Sequence, residues 1–126
     1  MTIKIILPAF LVACFSMALQ CKKDRLTGCY KARLEIKGIC LNYTIKVLQG
    51  DMDSSLIQNN WTDPNTGIAY QNVFALGSPC TFPPDINEGD EFYFKIDSSY
   101  VSNCAVCMAY YPKPSKSIAI KIVANK

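Results

Sequence analysis

The sequence predicts an all-β protein, a small single-domain antiparallel barrel or sandwich of about five to seven strands that contains disulfides. Three observations carry this. Two stretches, Tyr30 to Lys37 and Glu91 to Asp97, alternate apolar and polar residues with the period of a sheet that has one wet face. Turn residues interrupt the chain at short intervals between such stretches. Seven cysteines in 126 residues suit a small domain stapled in an oxidising compartment.

Taken in order, the first element is a leader. The amino terminus and Lys4 precede an apolar run from Ile5 to Leu19 broken only by Ser16, the charged head and apolar core of an export signal. The run is short for a membrane span, and Pro8 sits near its start. Ser16 and Ala18 offer small residues for a general signal peptidase, which would cut after Ala18. The other candidate cut lies before Cys21. An apolar run, then Cys21-Lys22-Lys23-Asp24, resembles the exported lipoproteins of the Bacteroidota. That resemblance implies residues 1–20 as signal peptide, Cys21 as the acylated first residue, and residues 21–28 as a tether. The implied partner is a membrane, reached through the lipid anchor, and the implied place is the cell envelope. The body, residues 29–126, resembles small exported proteins of the same bacteria, which implies no activity.

Charge narrows the function of the body. Its nine Lys and Arg balance nine Asp and Glu, so the overall +3 resides in the leader and tether. A neutral body lacks the basic face that binding to nucleic acid requires. Cys14 leaves with the leader, and Cys29, Cys40, Cys80, Cys104 and Cys107 are the disulfide candidates of the domain, with Cys21 as either a sixth member or the lipid site.

The first strand is Tyr30 to Lys37, apolar at every even position and charged at every odd one. After Gly38 the apolar set moves to odd positions, Ile39, Leu41, Tyr43, Ile45 and Val47. This change of phase means either a tight turn or a bulge in one long bent strand, and the bulge is preferred. Gln49 to Ser55 is a polar loop whose carboxylates, Asp51 and Asp53, are read as solvated. Leu56 to Trp61 is a strand, Thr62 to Gly67 a hairpin turn rich in Asp, Pro, Asn and Gly, and Ile68 to Leu76 the returning strand. Asp63, Asn65 and Gly67 lack the spacing of a calcium loop. Three prolines exclude Gly77 to Pro84 from a sheet, so it is a crossing loop fastened by Cys80. Asn87 to Asp90 is a turn, and Glu91 to Asp97 a core strand with Phe92, Phe94 and Ile96 on one face. Met108 to Lys116 is an extended linker, and Ser117 to Val123 the strand that closes the sheet.

Cys104-Ala105-Val106-Cys107 is the one motif with the spacing of a reaction centre. It reads first as two structural cysteines, and alternatively as a small thiol-disulfide redox pair. A zinc site would need a second pair or histidines, and the chain has no histidine. The same absence removes Ser-His-Asp and Cys-His catalysis, and the six glycines are too scattered to cradle a phosphate. No metal, cofactor or catalysis is expected. Trp61, Tyr110 and Tyr111 form a possible aromatic surface for a protein or glycan ligand. The expected role is thus that of a cell-envelope lipoprotein with structural or binding duty. The alternatives are the redox protein and a freely secreted stapled module cut after Ala18.

Overall fold

A computed structural model describes residues 28–125; the leader, Cys14, Cys21 and most of the tether lie outside the described residues. The domain is all-β, with seven strands and three single turns of 3-10 helix among the described residues. In chain order the strands are β1 (Cys29–Lys37), β2 (Tyr43–Gln49), β3 (Gln58–Thr62), β4 (Ala69–Leu76), β5 (Glu91–Ile96), β6 (Ser117–Ile118) and β7 (Ile120–Asn125). They form one sheet in the order β3-β4-β2-β1-β5-β7, antiparallel throughout except where β6 runs parallel to β4.

The segment after the linker is what curls this sheet. Ser117 and Ile118 pair with Ala75 and Leu76 of β4, while Ile120 onward pairs with β5, and only Ala119 separates the two ladders. Gly77 N–H donates to Ile118 O at 2.7 Å, and Asp97 N–H donates to Ala119 O at 2.9 Å. One stretch of chain therefore links β4, next to one edge of the sheet, to β5, next to the other, without closing the sheet into a barrel. Two residues in β6 are too few for a full closing ladder. Ser78 reinforces the join: its buried hydroxyl donates to Ile120 O at 2.9 Å and accepts from Ile120 N–H at 2.8 Å. A Cβ on Gly77 would stand 2.8 Å from the Ile118 carbonyl carbon, so this close approach requires glycine.

The strand pattern of the sequence is borne out at β1 and β5, whose inward residues Ala32, Leu34, Phe92 and Phe94 are fully buried. They join Tyr43, Ile45, Phe74, Leu76, Ile118 and Ile120 in the main core, capped by Ile57 and Ile86. An aromatic chain threads it: Tyr43 meets Phe82 edge-on at 5.6 Å between centroids, Phe82 meets Phe92 at 5.7 Å, and Phe94 meets Phe74 at 5.7 Å. Such tilted and edge-to-face contacts add to the burial of the rings. Ile96 departs from expectation. At the end of β5 it is 41% exposed, because β5 stops there and Asp97 turns away to bond with Ala119.

The phase change after Gly38 is a hairpin, and the preference for one long bent strand is corrected. β1 pairs antiparallel with β2, joined by residues 38–42 with a 3-10 turn at Ile39–Leu41. Cys40 and Leu41 take positive φ of 57° and 60°, an arrangement uncommon outside glycine and one that reverses the chain in little length. Bulging does occur, but within β1: Leu34 faces Ile45 and Ile36 faces Thr44, which leaves Glu35 as the extra residue. Ile36 is thereby turned to the side of Thr44, away from the main core.

That second side is also covered. Ile36, Thr44, Val73 and Ala75 are all buried, yet none belongs to the main core cluster. The cover is the linker, which crosses the sheet as a strap. Tyr111 lies against Gly38, where a Cβ would come within 2.6 Å of the ring. Pro114 is buried, Ser115 N–H donates to Gln58 Oε1 at 2.9 Å, and Lys116 O accepts from Ala75 N–H at 2.7 Å. Alternation along β2 and β4 accordingly fails as a guide to exposure, since both faces are dry at Thr44 and Ala75.

Candidate binding surface

Disulfide bonds organise the part of the strap that precedes Tyr111. Cys80, on the 3-10 turn Pro79–Thr81, is bonded to Cys104 with 5.6 Å between Cα atoms. Cys40, in the β1–β2 turn, is bonded to Cys107 with 5.3 Å between Cα atoms. Cys104 and Cys107 thus do not close on each other; each ties the strap to a different loop of the sheet. A redox role of the Cys-x-x-Cys kind needs the two sulfurs joined to one another in the oxidised state, and they are held apart by these partners. Cys29 is disulfide-bonded as well.

Between and beyond these bonds the chain is open. Val101 to Tyr110 is exposed at every residue, with Val101 at 73%, Met108 at 97% and Tyr110 at 87%. Among the described residues, 101–114 make no backbone-to-backbone hydrogen bond. The local contacts that do exist are at the upstream end: Tyr100 Oη accepts from Cys80 N–H at 3.3 Å, and Cys80 Sγ lies 3.8 Å from Ser102 Oγ. Ser98 to Pro112 contains no charged residue. The turn residue beside Cys40, Ile39, is itself 59% exposed.

The aromatic residues singled out in the sequence are spread over different places. Trp61 on β3 is half-buried, and its ring neighbour is Tyr70 of β4 at 5.8 Å, not Tyr110 or Tyr111. Tyr111 is half-buried over Gly38, while Tyr110 projects into solvent. The three do not stack into one ring platform. Tyr70 was not foreseen; burial and then the nearby carboxylates Glu35, Asp63 and Glu88 push its phenol above the ordinary 10.0.

The carboxylates act as turn formers. Asp53 accepts from Ser55 N–H at 2.9 Å, and this bond holds the carboxyl below its usual range. Asp63, 2% exposed, accepts from Asn65 N–H at 2.9 Å and from Thr66 Oγ1 at 3.3 Å, and Gly67 completes that turn with φ of +73°. Among the described residues no group of three or more His, Cys, Asp or Glu converges on a common point, and no helix is long and apolar enough to cross a membrane.

The fold and this surface together define a class: a disulfide-stapled all-β module that displays a braced, uncharged segment. No family model, curated protein or solved structure matches the chain. Sequence reasoning missed three residues that shape the surface. Lys37 ties the Pro84 to Asn87 loop to β1 by donating to Pro84 O and Ile86 O, both at 2.9 Å. Ser78, just after β4, is bonded to Ile120 of β7, and Met108 is the most exposed large side chain of the strap. Only Met108 had a sequence signal, the long uncharged run around it.

Proposed function

We propose that this protein is an exported, non-catalytic module that works by binding through the strap, not by chemistry. The supporting observation is that two disulfides pin a fully exposed, uncharged segment which forms no backbone ladder of its own. Ordering a chain costs about 1 to 2 kcal/mol per residue in backbone entropy, so an ordered yet unpaired segment is costly unless it is used. Disulfides that hold it in place before a partner arrives reduce the entropy lost on binding. The apolar leader and the disulfides both fit an oxidising compartment outside the cytoplasm.

Two modes of residence are proposed. In the first, Cys21 carries a lipid and residues 21–28 tether the module to the cell envelope. In the second, the chain is secreted after cleavage at Ala18 and Cys21 belongs to the disulfide framework.

Intact mass of the natively purified protein, with thiol alkylation before and after reduction, tests the reading. Protein that lacks its leader and whose Cys40, Cys80, Cys104 and Cys107 resist alkylation before reduction supports export and stapling. Added acyl mass on a chain beginning at Cys21 selects the envelope mode, and a soluble chain beginning at Leu19 selects the secreted one. Retention of the leader, or alkylation of Cys104 and Cys107 without reductant, refutes the proposal.

A further inference from the structure

The strap offers more than a generic adhesive patch. Resting on the binding role just described, we propose that residues 105–110 are presented to the substrate cleft of a serine endopeptidase with an apolar primary pocket, Met108 being the side chain that enters it. The module would thereby act as an inhibitor that occupies the cleft.

Endopeptidases take their substrates as open strands, pairing main-chain groups with the cleft and lodging alternate side chains in pockets. The strap has the matching features. Its residues from Val101 to Tyr110 are exposed and their backbone groups have no backbone partner among the described residues, so they are available to a cleft. Residues 105–114 have neither helix, strand nor turn. Met108 and Tyr110, the two most exposed large side chains, are separated by the small Ala109, the spacing that would turn both to one side once a cleft drew the segment out as a strand. An unbranched apolar side chain beside a small residue suits a hydrophobic slot of the chymotrypsin kind. With no charge from Ser98 to Pro112, insertion leaves no ion to desolvate.

Bracing on both flanks explains why such a segment would inhibit instead of being consumed. Upstream, Cys107 is bonded to Cys40 and Cys104 to Cys80. Downstream, Tyr111 rests on Gly38, Ser115 is bound to Gln58, and Lys116 to Ala75. Hydrolysis at Met108 would add one water across the peptide bond, leaving a carboxylate on Met108 and an ammonium on Ala109. Neither new end leaves, because each remains fastened to the sheet, so resynthesis of the bond stays intramolecular.

A lipid surface is the less favoured occupant. A bilayer has no donors or acceptors for the open backbone of the strap, whose N–H and C=O groups would enter hydrocarbon unsatisfied.

The test uses the mature, oxidised full chain against a chymotrypsin-like and a trypsin-like endopeptidase with small chromogenic substrates. Met108 is 97% exposed, so its variants are expected to fold, which circular dichroism and the intact disulfide mass verify. The wild type is expected to inhibit the chymotrypsin-like enzyme, and Met108→Asp to weaken that inhibition by roughly 100-fold, the scale of losing one interface hot spot. Met108→Lys is expected to move inhibition to the trypsin-like enzyme, whose pocket carries an acid. The proposal is overturned if neither wild type nor Met108→Lys inhibits its matched enzyme, or if both are digested at this site as fast as the reduced chain. Binding to phosphatidylcholine vesicles, or self-association, that Met108→Asp abolishes in the absence of inhibition also overturns it and assigns the strap to that occupant. In each of these cases an unchanged disulfide and leader result leaves the broader reading of an exported module standing.

Discussion

Replacing Cys40 and Cys107 together by alanine removes the bond that fixes the tip of the strap. The bond joins residues 67 apart in sequence. Loop-closure entropy for a ring of about that size is worth roughly 4.4 kcal/mol at room temperature. The Cys80–Cys104 bond, 24 apart, already closes a smaller ring inside it, and shortening the effective loop accordingly lowers the figure to about 4 kcal/mol. Domains of this size have about 5 to 15 kcal/mol in all, so the double variant should be marginal. Urea denaturation followed by Trp61 fluorescence reads the loss as a lowered midpoint. Limited proteolysis supplies a local readout, since residues 101–114 have no backbone ladder to hold them once the bond is gone. A loss below about 1 kcal/mol, with the strap still protected, would refute the view that loop closure at Cys40 orders this segment.

Gly38→Ala should cost about 1 to 3 kcal/mol by overpacking, because its Cβ would meet the Asn42 carbonyl oxygen and, at 2.6 Å, the Tyr111 ring; in a Tyr111→Ala background denaturant midpoints should show only part of the penalty relieved, since the Asn42 contact is with backbone. Thr44 is fully buried and its hydroxyl has no hydrogen-bond partner among the described residues. Thr44→Val should therefore leave stability unchanged or raise it by about 1 kcal/mol, as thermal unfolding would show. Burial raises the phenols of Tyr43 and Tyr70 above the ordinary 10.0, so ultraviolet titration should find a part of the tyrosine absorbance appearing only above that value. Their raised values keep the neutral forms favoured in the fold. That contribution is fully present below pH 10.0 and falls away as pH rises through the folded-state values.

The fold class and most strands were legible in the chain itself, because a strand with one wet face writes its burial into every second residue. Leu34 and Phe92 are inside and Arg33 and Tyr93 are outward for that reason alone. The hairpin turn at Asp63 and the exclusion of Pro79 to Pro84 from the sheet were equally local matters, set by φ restriction and by missing donors. Other features depend on contacts between residues far apart and leave no period to read. The reversal at Cys40 could not be told from a bulge, since both shift the phase after Gly38, and positive φ at two non-glycine residues has no composition signal. Burial of Thr44 and Ala75 on the outward face was decided by a strap that begins about sixty residues after the first and about thirty after the second. Disulfide partners were likewise invisible: several cysteines permit many pairings, and only the folded positions bring Cys40 to Cys107 and Cys80 to Cys104. The sequence by itself therefore determined a small β domain with an extended linker before its last strand. Tertiary structure alone decided that the linker is a strap, braced at two points and leaving Met108 and Tyr110 in solvent, because that depends on which distant loops the chain meets as it folds.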